Sequence, residues 1–412
     1  MTVGPDLAGV PPTFRSAIRS RALRRLLTAL LAGSSSQQVL TLAVGVWVLE
    51  RTGSGPWVSV AVALTYLPYA LLSGVAGVLV DRRSRSALLA ISSLARAACA
   101  TGLLVAVTVD GPPWVVVSIA AVAAVAATPG YPATAAATVE CVPNSALPAA
   151  NALVTGVENI AWMVGPGVFG LLMLTGHGPP LALVVAAALF GIGTIAAWRV
   201  GLRRPARPVD DGRVDGGRMT TVLRLACTDP RVRLPLLVGL LDNLLFGYLV
   251  VALVLLTASA GERLGALNAA LSVGALAGML VVNRLAGRGP NRVIGLLLAV
   301  FGLAVGLLGL AGTGSAGLAL VGVAAAASVV TEVIAVTVLQ RVTPETAHGR
   351  VLGLYDQVAV GSIALGSLVA GPASEVLNPG PTTALAGGLT VALVAAAALL
   401  TRLRTNRPSR SA

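Results

Sequence analysis

Apolar residues occur in twelve long, nearly unbroken stretches separated by short polar segments. Each stretch approaches or exceeds the roughly 20 residues that an α-helix needs to cross the hydrocarbon core of a bilayer. The stretches, numbered here as spans 1 to 12, cover residues 26–49, 57–80, 87–109, 113–139, 150–174, 180–200, 234–257, 264–283, 293–311, 316–340, 350–375 and 382–402. The pattern predicts an all-α polytopic membrane protein with twelve transmembrane helices.

Composition narrows the class of protein further. The 412 residues are 56% hydrophobic and 11% charged, whereas soluble domains carry about 25% charged residues. A soluble enzyme, a disordered chain and a nucleic-acid-binding domain are therefore excluded, despite the formal net charge of +13. The strands of an outer-membrane barrel alternate polar and apolar residues, so the long apolar stretches exclude that class as well.

The arginines predict the orientation. All 29 basic residues are Arg, and 26 of them lie in the two tails and in the loops on one side of the predicted membrane. Arg51 and Arg263 lie on the other side, and Arg96 lies inside span 3. Because basic loops stay in the cytoplasm, both termini are expected to be cytoplasmic. The Arg-, Ala- and Gly-rich composition fits a GC-rich bacterial genome, so the expected location is a bacterial cell (inner) membrane.

One long polar segment divides the chain. Residues 201–233 are rich in Pro, Gly, Arg and Asp and predict a cytoplasmic linker between a six-helix bundle at 1–200 and a second one at 234–412. The halves also resemble each other, since Glu158-Asn159 in span 5 corresponds to Asp356-Gln357 in span 11. Such a repeat is typical of alternating-access carriers, which bind substrate between their halves.

The loop after span 2 carries a family motif. Its sequence, Gly77-Val-Leu-Val-Asp81-Arg82-Arg83-Ser84-Arg85-Ser86, resembles the signature of the major facilitator superfamily, with Ser84 in place of a glycine and Ser86 in place of a basic residue. The resemblance implies a twelve-helix carrier with a gate that closes the cytoplasmic side. The gate residues would be Gly77, Asp81, Arg82, Arg85 and Glu140. The alternative is an ordinary positively charged turn.

Other motifs resemble one branch of that superfamily. Residues 49–54, 66–68 and 150–153 look like the branch that contains macrolide-type and siderophore exporters. The segment Gly165-Pro166-Gly167-Val168-Phe169-Gly170 resembles the span-5 motif of proton-coupled antiporters, with Phe169 replacing one glycine. The resemblance implies export, with a helix kink formed by Gly165, Pro166 and Gly170. The alternative is a packing kink without directional meaning.

Five ionisable residues interrupt the apolar stretches. Charged groups inside a membrane are costly and are functional candidates by default. They lie at similar predicted depths, roughly 9–12 Å from the cytoplasmic helix ends at 1.5 Å per residue, and they are Glu158, Asp242, Glu332, Asp356 and Arg96. Burial disfavours a charged carboxyl group, so at least one of the acids is expected to bind and release a proton, with Glu158 and Asp356 as the first candidates. Two alternatives remain open, a structural pair between Arg96 and one acid, and an interfacial position for Glu332 or Asp356.

Polar and aromatic residues near these acids predict the substrate cavity. The candidates are Gln37, Gln38, Thr41, Asn159, Trp162, Asn243, Phe246, Tyr355 and Gln357. A few hydrogen-bonding groups in an apolar, partly aromatic wall suit a lipophilic or amphipathic compound. The alternative for each single residue is a hydrogen bond that joins two helices.

These observations predict a secondary transporter that exports a drug, secondary metabolite or siderophore by proton antiport. The sequence contains no phosphate-binding loop, no nucleophile motif and no metal-ligand spacing, so catalysis, cofactors and metals are not expected. The expected partners are a small-molecule substrate, protons and the lipid bilayer, and the expected state is a monomer. The alternatives are an importer or symporter of the same fold, and a non-transporting membrane scaffold or sensor.

Overall fold

A computed structural model describes residues 14–143, 146–202, 229–257, 261–286, 290–343 and 348–405. Most of the predicted linker at 201–233 therefore lies outside the described residues. Within them the chain is helical, and twelve spans are long and apolar enough to cross a membrane. The predicted all-α fold with twelve transmembrane helices is confirmed.

The helices extend a few residues beyond most of the predicted stretches, because amphipathic residues prolong them at both ends. Spans 1 to 6 are Arg21–Thr52, Gly55–Arg82, Arg85–Thr108, the pair Pro113–Ala127 and Gly130–Cys141, Leu147–Met173, and Gly178–Val200. Spans 7 to 12 are Pro230–Leu256, Gly261–Ala286, Pro290–Ala311, Ser315–Val342, His348–Leu377 and Pro379–Thr405. A short helix, Phe14–Arg19, precedes span 1.

Span 4 is broken in its middle. Its first helix ends at Ala127 and its second begins at Gly130, with Thr128 and Pro129 between them. Proline has no amide hydrogen to continue the helical hydrogen bonds. The break places Gly130 and Tyr131 on the wall of the central cavity.

The packing of the helices repeats between the two halves. Span 1 packs against spans 5 and 6, and span 7 packs in the same way against spans 11 and 12. Span 3 packs against spans 4 and 6, and span 9 against spans 10 and 12. The halves meet where span 2 contacts span 11 and where span 8 contacts span 5. These two contacts, called the 2/11 interface and the 5/8 interface, are related by the same repeat.

Paired glycines form one end of each interface. A Cβ atom on Gly55 would lie 2.9 Å from the carbonyl oxygen of Gly371, and a Cβ on Gly170 would lie 2.7 Å from that of Gly265. Both are shorter than real Cβ contacts, so only glycine allows the backbones to approach this closely. All four glycines belong to the membrane side opposite the arginine-rich loops. The two halves are therefore closed against each other on that side.

Candidate functional site

A central cavity lies between the two halves and consists of two connected chambers. The upper chamber, about 320 Å³, is lined mainly by spans 7, 8, 10 and 11, and the lower one, about 390 Å³, mainly by spans 1 to 5. Both chambers are lined by Gln38, Thr41, Tyr66, Trp162, Asp356 and Val360. The lower chamber also extends to Leu26 and Leu89, near the arginine-rich ends of spans 1 and 3.

Two acids of the C-terminal half border the upper chamber, and hydrogen bonds orient both. The Ser328 hydroxyl donates to Asp242 Oδ2 at 2.7 Å, while Asp242 Oδ1 is buried without a partner among the described residues. Glu332 Oε2 accepts hydrogen bonds from the Tyr355 hydroxyl at 2.7 Å and from Asn243 Nδ2 at 3.2 Å. Glu332 is therefore held by donors on two other spans, and Asp242 by one.

The lower chamber contains two more acids with different surroundings. The Tyr69 hydroxyl of span 2 donates to Asp356 Oδ2 of span 11 at 2.6 Å, so this bond crosses from one half to the other. The Tyr131 ring packs edge-on against Tyr69, with ring centroids 6.4 Å apart. Glu158 borders the same chamber and accepts no hydrogen bond from the described residues.

Arg96 faces the lower chamber from span 3. Its Cζ lies 4.6 Å from the centroid of the Phe190 ring, a cation–π contact. Its Nε is buried without a hydrogen-bond partner, and no carboxylate of the described residues lies within 4.0 Å of its nitrogens. The described residues therefore provide no support for a structural pair between Arg96 and one of the acids.

The five charged residues lie at one level. Counted from the arginine-rich end of its own helix, each lies between 8 residues deep, for Asp356, and 12 residues deep, for Asp242. At 1.5 Å per residue the depth is about 12–18 Å, greater than the sequence suggested because the helices extend beyond the apolar stretches. Glu332 and Asp356 both border the central cavity.

Most of the predicted cavity residues border the two chambers. Those that do are Gln37, Gln38, Thr41, Trp162, Asn243 and Phe246. Tyr355 lies behind Glu332, where Gly239 of span 7 leaves room for its ring. Gln357 makes other contacts and is not among the lining residues. The side chain of Asn159 lies outside the described part of the chain.

Several lining residues were not predicted, chiefly Tyr69, Tyr131, Asn268 and Ser328. Ser328 lies four residues before Glu332 on span 10, and Tyr69 three residues after Tyr66 on span 2. These helical spacings place each new residue on the face of one already considered. Asn268 is an isolated amide in an apolar span, and its position was the available indication.

The predicted gate is described only in part. Arg85 forms an ion pair with Glu140, which joins the start of span 3 to the end of span 4 within the N-terminal half. Ser84 and Ser86, the two departures from the family motif, both donate to the carbonyl oxygen of Leu202, at 2.8 and 3.0 Å. They tie the loop to the end of span 6. The side chains at positions 77, 81 and 82 (Gly77, Asp81 and Arg82) lie outside the described residues.

The predicted kink residues of span 5 are packing residues in a continuous helix, Leu147–Met173. A Cβ on Gly165 would lie 2.5 Å from Gln38 Cβ of span 1, and Gly170 meets Gly265 of span 8. Pro166 borders the upper chamber. The motif therefore allows span 5 to pack closely against a neighbour in each half.

The repeated six-helix halves and the cavity between them define a class of protein, a polytopic carrier with an internal repeat. A comparison with known families agrees with this class. Residues 26–367 match the model of the Major Facilitator Superfamily, so the chain belongs to that family. It is a multi-pass membrane transporter of a small-molecule substrate, not an enzyme.

Two relatives with curated descriptions are efflux proteins. The chain is 29% identical over 376 residues to the multidrug efflux pump Tap of Mycolicibacterium fortuitum, covering 87% of this chain and 90% of that protein. It is 29% identical over 164 residues to the macrolide efflux protein A of Streptococcus pyogenes. That second match covers 39% of this chain and only 40% of the relative's length.

Solved structures share the fold at low identity. A mutant form of the nucleoside transporter NupG superposes with a TM-score of 0.74 at 13% identity, over 91% of this chain and 98% of that one. A bacterial homologue of the iron transporter ferroportin, in its inward-facing state, gives 0.67 at 15% identity over 94% and 99%. At these identities the likeness shows the fold alone.

Proposed function

We propose that the protein exports lipophilic or amphipathic small molecules by proton antiport, through alternating access of one central cavity. The observation that carries the proposal is the level of four carboxyl groups that borders this cavity. The printed names of the efflux relatives support export, and the span-5 motif favours the same direction.

The wall of the cavity favours an apolar or amphipathic cargo. Trp162 of span 5 and Phe246 of span 7 approach each other from opposite halves, with ring centroids 6.4 Å apart. Aliphatic residues surround them in the upper chamber, where Leu253 and Leu271 are examples. The two chambers fall within the range of typical small-molecule sites, and their few amides and hydroxyls would orient a bound compound.

The carboxyl groups provide the means of proton coupling. A carboxyl group in a membrane interior is costly to ionise, so a proton and a cargo that both favour binding at the same group exclude each other. That competition is the thermodynamic requirement for antiport. Glu158 is our first candidate for the exchanging group and Asp356 the second, with Asp242, Glu332 and Arg96 as supporting charges.

The remaining features of the molecule follow from this mechanism. We infer two bundles, 1–200 and 234–412, joined by a cytoplasmic linker at 201–233, with both termini in the cytoplasm of a bacterial inner membrane. The protein would act as a monomer. The glycine contacts would then close the external side, while the loop at 77–85 would contribute to closing the cytoplasmic side in the other state.

The test is transport of ethidium by the purified full-length protein in liposomes. Ethidium is a permanent cation, so a pH gradient cannot trap it without the protein. Antiport predicts accumulation in vesicles that are acidic inside, and Glu158→Gln and Asp356→Asn should abolish or strongly reduce it. Glu50→Gln, an exposed acid at the end of span 1, is the matched control and should keep the wild-type rate.

The same experiment separates the alternatives. Accumulation in alkaline vesicles would indicate a symporter. A scaffold or sensor would give no gradient-driven flux, and its acid variants would change only stability. Full pH-driven flux in both Glu158→Gln and Asp356→Asn would contradict the assignment of the proton to these residues.

A further inference from the structure

Two opposite charges border the lower chamber without touching each other. Glu158 enters it from span 5 and Arg96 from span 3. No ion pair joins them within 4.0 Å, and neither has a hydrogen-bond partner among the described residues. Both charges lie deep in the bundle, where an ion is costly unless a charge or polar group compensates it.

The fixed surroundings do not supply the missing partners. The Phe190 ring supports one face of the Arg96 guanidinium and leaves its nitrogens available. The other acid of the chamber, Asp356, accepts its hydrogen bond from Tyr69. The titratable groups around the chamber are Glu158, Arg96, Asp356, Tyr66, Tyr69 and Tyr131, so Arg96 is the single cation that the described residues bring to it.

We propose that the lower chamber binds the head group of a zwitterionic cargo, whose ammonium pairs with Glu158 and whose carboxylate pairs with Arg96. The inference rests on the proposed function, since it assigns a substrate class to the same cavity. The chamber also offers Gln37, whose Oε1 is buried without a partner among the described residues and can accept a further hydrogen bond.

The charges favour a zwitterion over an ion of either sign. A simple anion would bind Arg96 best when Glu158 is protonated, so anion and proton would travel together and not in exchange. A simple cation would leave the Arg96 guanidinium unpaired. The ammonium of a zwitterion competes with the proton for Glu158, which preserves antiport, while its carboxylate compensates Arg96.

The apolar part of such a cargo has a defined place. Leu26, Leu30 and Leu89 border the lower chamber on the arginine-rich side, and Trp162 borders the passage to the upper chamber. An aromatic or aliphatic body attached to the charged head would reach the aromatic pair Trp162 and Phe246. The predicted substrate class is therefore an amphipathic zwitterion, not a free amino acid.

Four fluorescent probes that differ only in charge test the proposal on the purified full-length protein. Nε-dansyl-L-lysine is zwitterionic, its α-carboxamide is cationic, its Nα-acetyl derivative is anionic, and the doubly blocked form is uncharged. The wild type should bind the zwitterion about 10-fold more tightly than each of the others, because the zwitterion alone forms both charge-assisted contacts. Equal affinities for all four probes would overturn the proposal.

Two variants assign the contacts. Arg96→Gln should lower zwitterion binding to the level of the carboxamide, and Glu158→Gln to the level of the Nα-acetyl derivative, while binding of the uncharged probe stays unchanged in both. A zwitterion preference that survives Arg96→Gln would overturn the proposal. Arg96→Lys retains the cation if the glutamine variant does not fold, and it should keep part of the preference. Arg263→Gln and Glu50→Gln, both exposed on the opposite side, are matched controls.

Flux of the same probes separates this inference from the proposed function. Protein-dependent, proton-driven flux of the uncharged probe without any charge preference in binding would leave export intact and refute the zwitterion site. A zwitterion preference that depends on Arg96 and Glu158, with no driven flux of any probe, would support the site and refute export.

Discussion

The 2/11 and 5/8 interfaces are repeat-related contacts with the same scaffold and different chemistry. Each begins at a glycine pair on the side opposite the arginine-rich loops. In the 2/11 interface Ser59 Oγ accepts a hydrogen bond from the amide of Gly371 at 2.8 Å, and Tyr69 donates to Asp356 farther along the same spans. The 5/8 interface has no corresponding hydrogen bond to Glu158 among the described residues.

The difference comes from one position on the repeat. Counted from the paired glycines, Met279 occupies on span 8 the place that Tyr69 occupies on span 2. Methionine has no hydroxyl to donate, so Glu158 stays available while its counterpart Asp356 is held. The repeat has therefore kept the glycine closure in both interfaces and separated the two acids, one for holding the halves and one for exchange.

The largest expected effect comes from breaking a glycine contact. Gly170→Val would place side-chain atoms inside the backbone of Gly265, so the opposite side would not close. We expect a loss of about 1–3 kcal/mol in the free energy of unfolding and near-complete loss of transport, measured by thermal unfolding and ethidium flux. Gly167→Val in the same helix has open space around it and should have little effect. Equal losses in both variants would contradict the interface argument.

The next effect concerns the hydrogen bond that distinguishes the interfaces. Tyr69→Phe removes the donor to Asp356 and keeps the ring, so we expect the halves to separate more easily, by about 0.5–2 kcal/mol. Distances between spin labels on spans 2 and 11 would report the change in population. Tyr131→Phe, whose hydroxyl makes no hydrogen bond with the described residues, is the control. The interpretation fails if Tyr131→Phe shifts the distances as much.

A smaller effect is expected inside the C-terminal half. Ser328→Ala would leave both oxygens of Asp242 without a donor among the described residues, at a cost of about 1 kcal/mol in stability. Ser362→Ala is the matched control, because that buried hydroxyl bonds only to the carbonyl of Val358 in its own helix. Chemical unfolding of both variants measures the difference. No difference between them would mean that Ser328 does not orient Asp242.

The fold could be predicted from the sequence because bilayer thickness fixes the length of each span, and charged residues stand out in apolar stretches. The four acids and Arg96 were found for that second reason. Tyr69 and Ser328 were not, since a tyrosine or serine is ordinary in a helix and becomes informative only through its partner. Those partners lie 287 and 86 residues away in the chain, and a single sequence does not pair residues at such distances.

The smallest expected effect tests the loop on the arginine-rich side. Arg85 and Glu140 belong to spans 3 and 4 of one half, with side chains 15% and 26% exposed. A partly exposed pair within one half should contribute about 0.2–1 kcal/mol to stability and leave the balance between conformations unchanged. A double-mutant cycle of Arg85→Gln and Glu140→Gln, read by thermal unfolding, gives the coupling energy, and the same spin labels read the balance. A gate that joins the halves would behave differently, because each neutralisation would then shift the spin-label distances. Such a shift would mean that this ion pair changes partners during transport, and that the arginine-rich side is closed by side chains where the opposite side is closed by backbone.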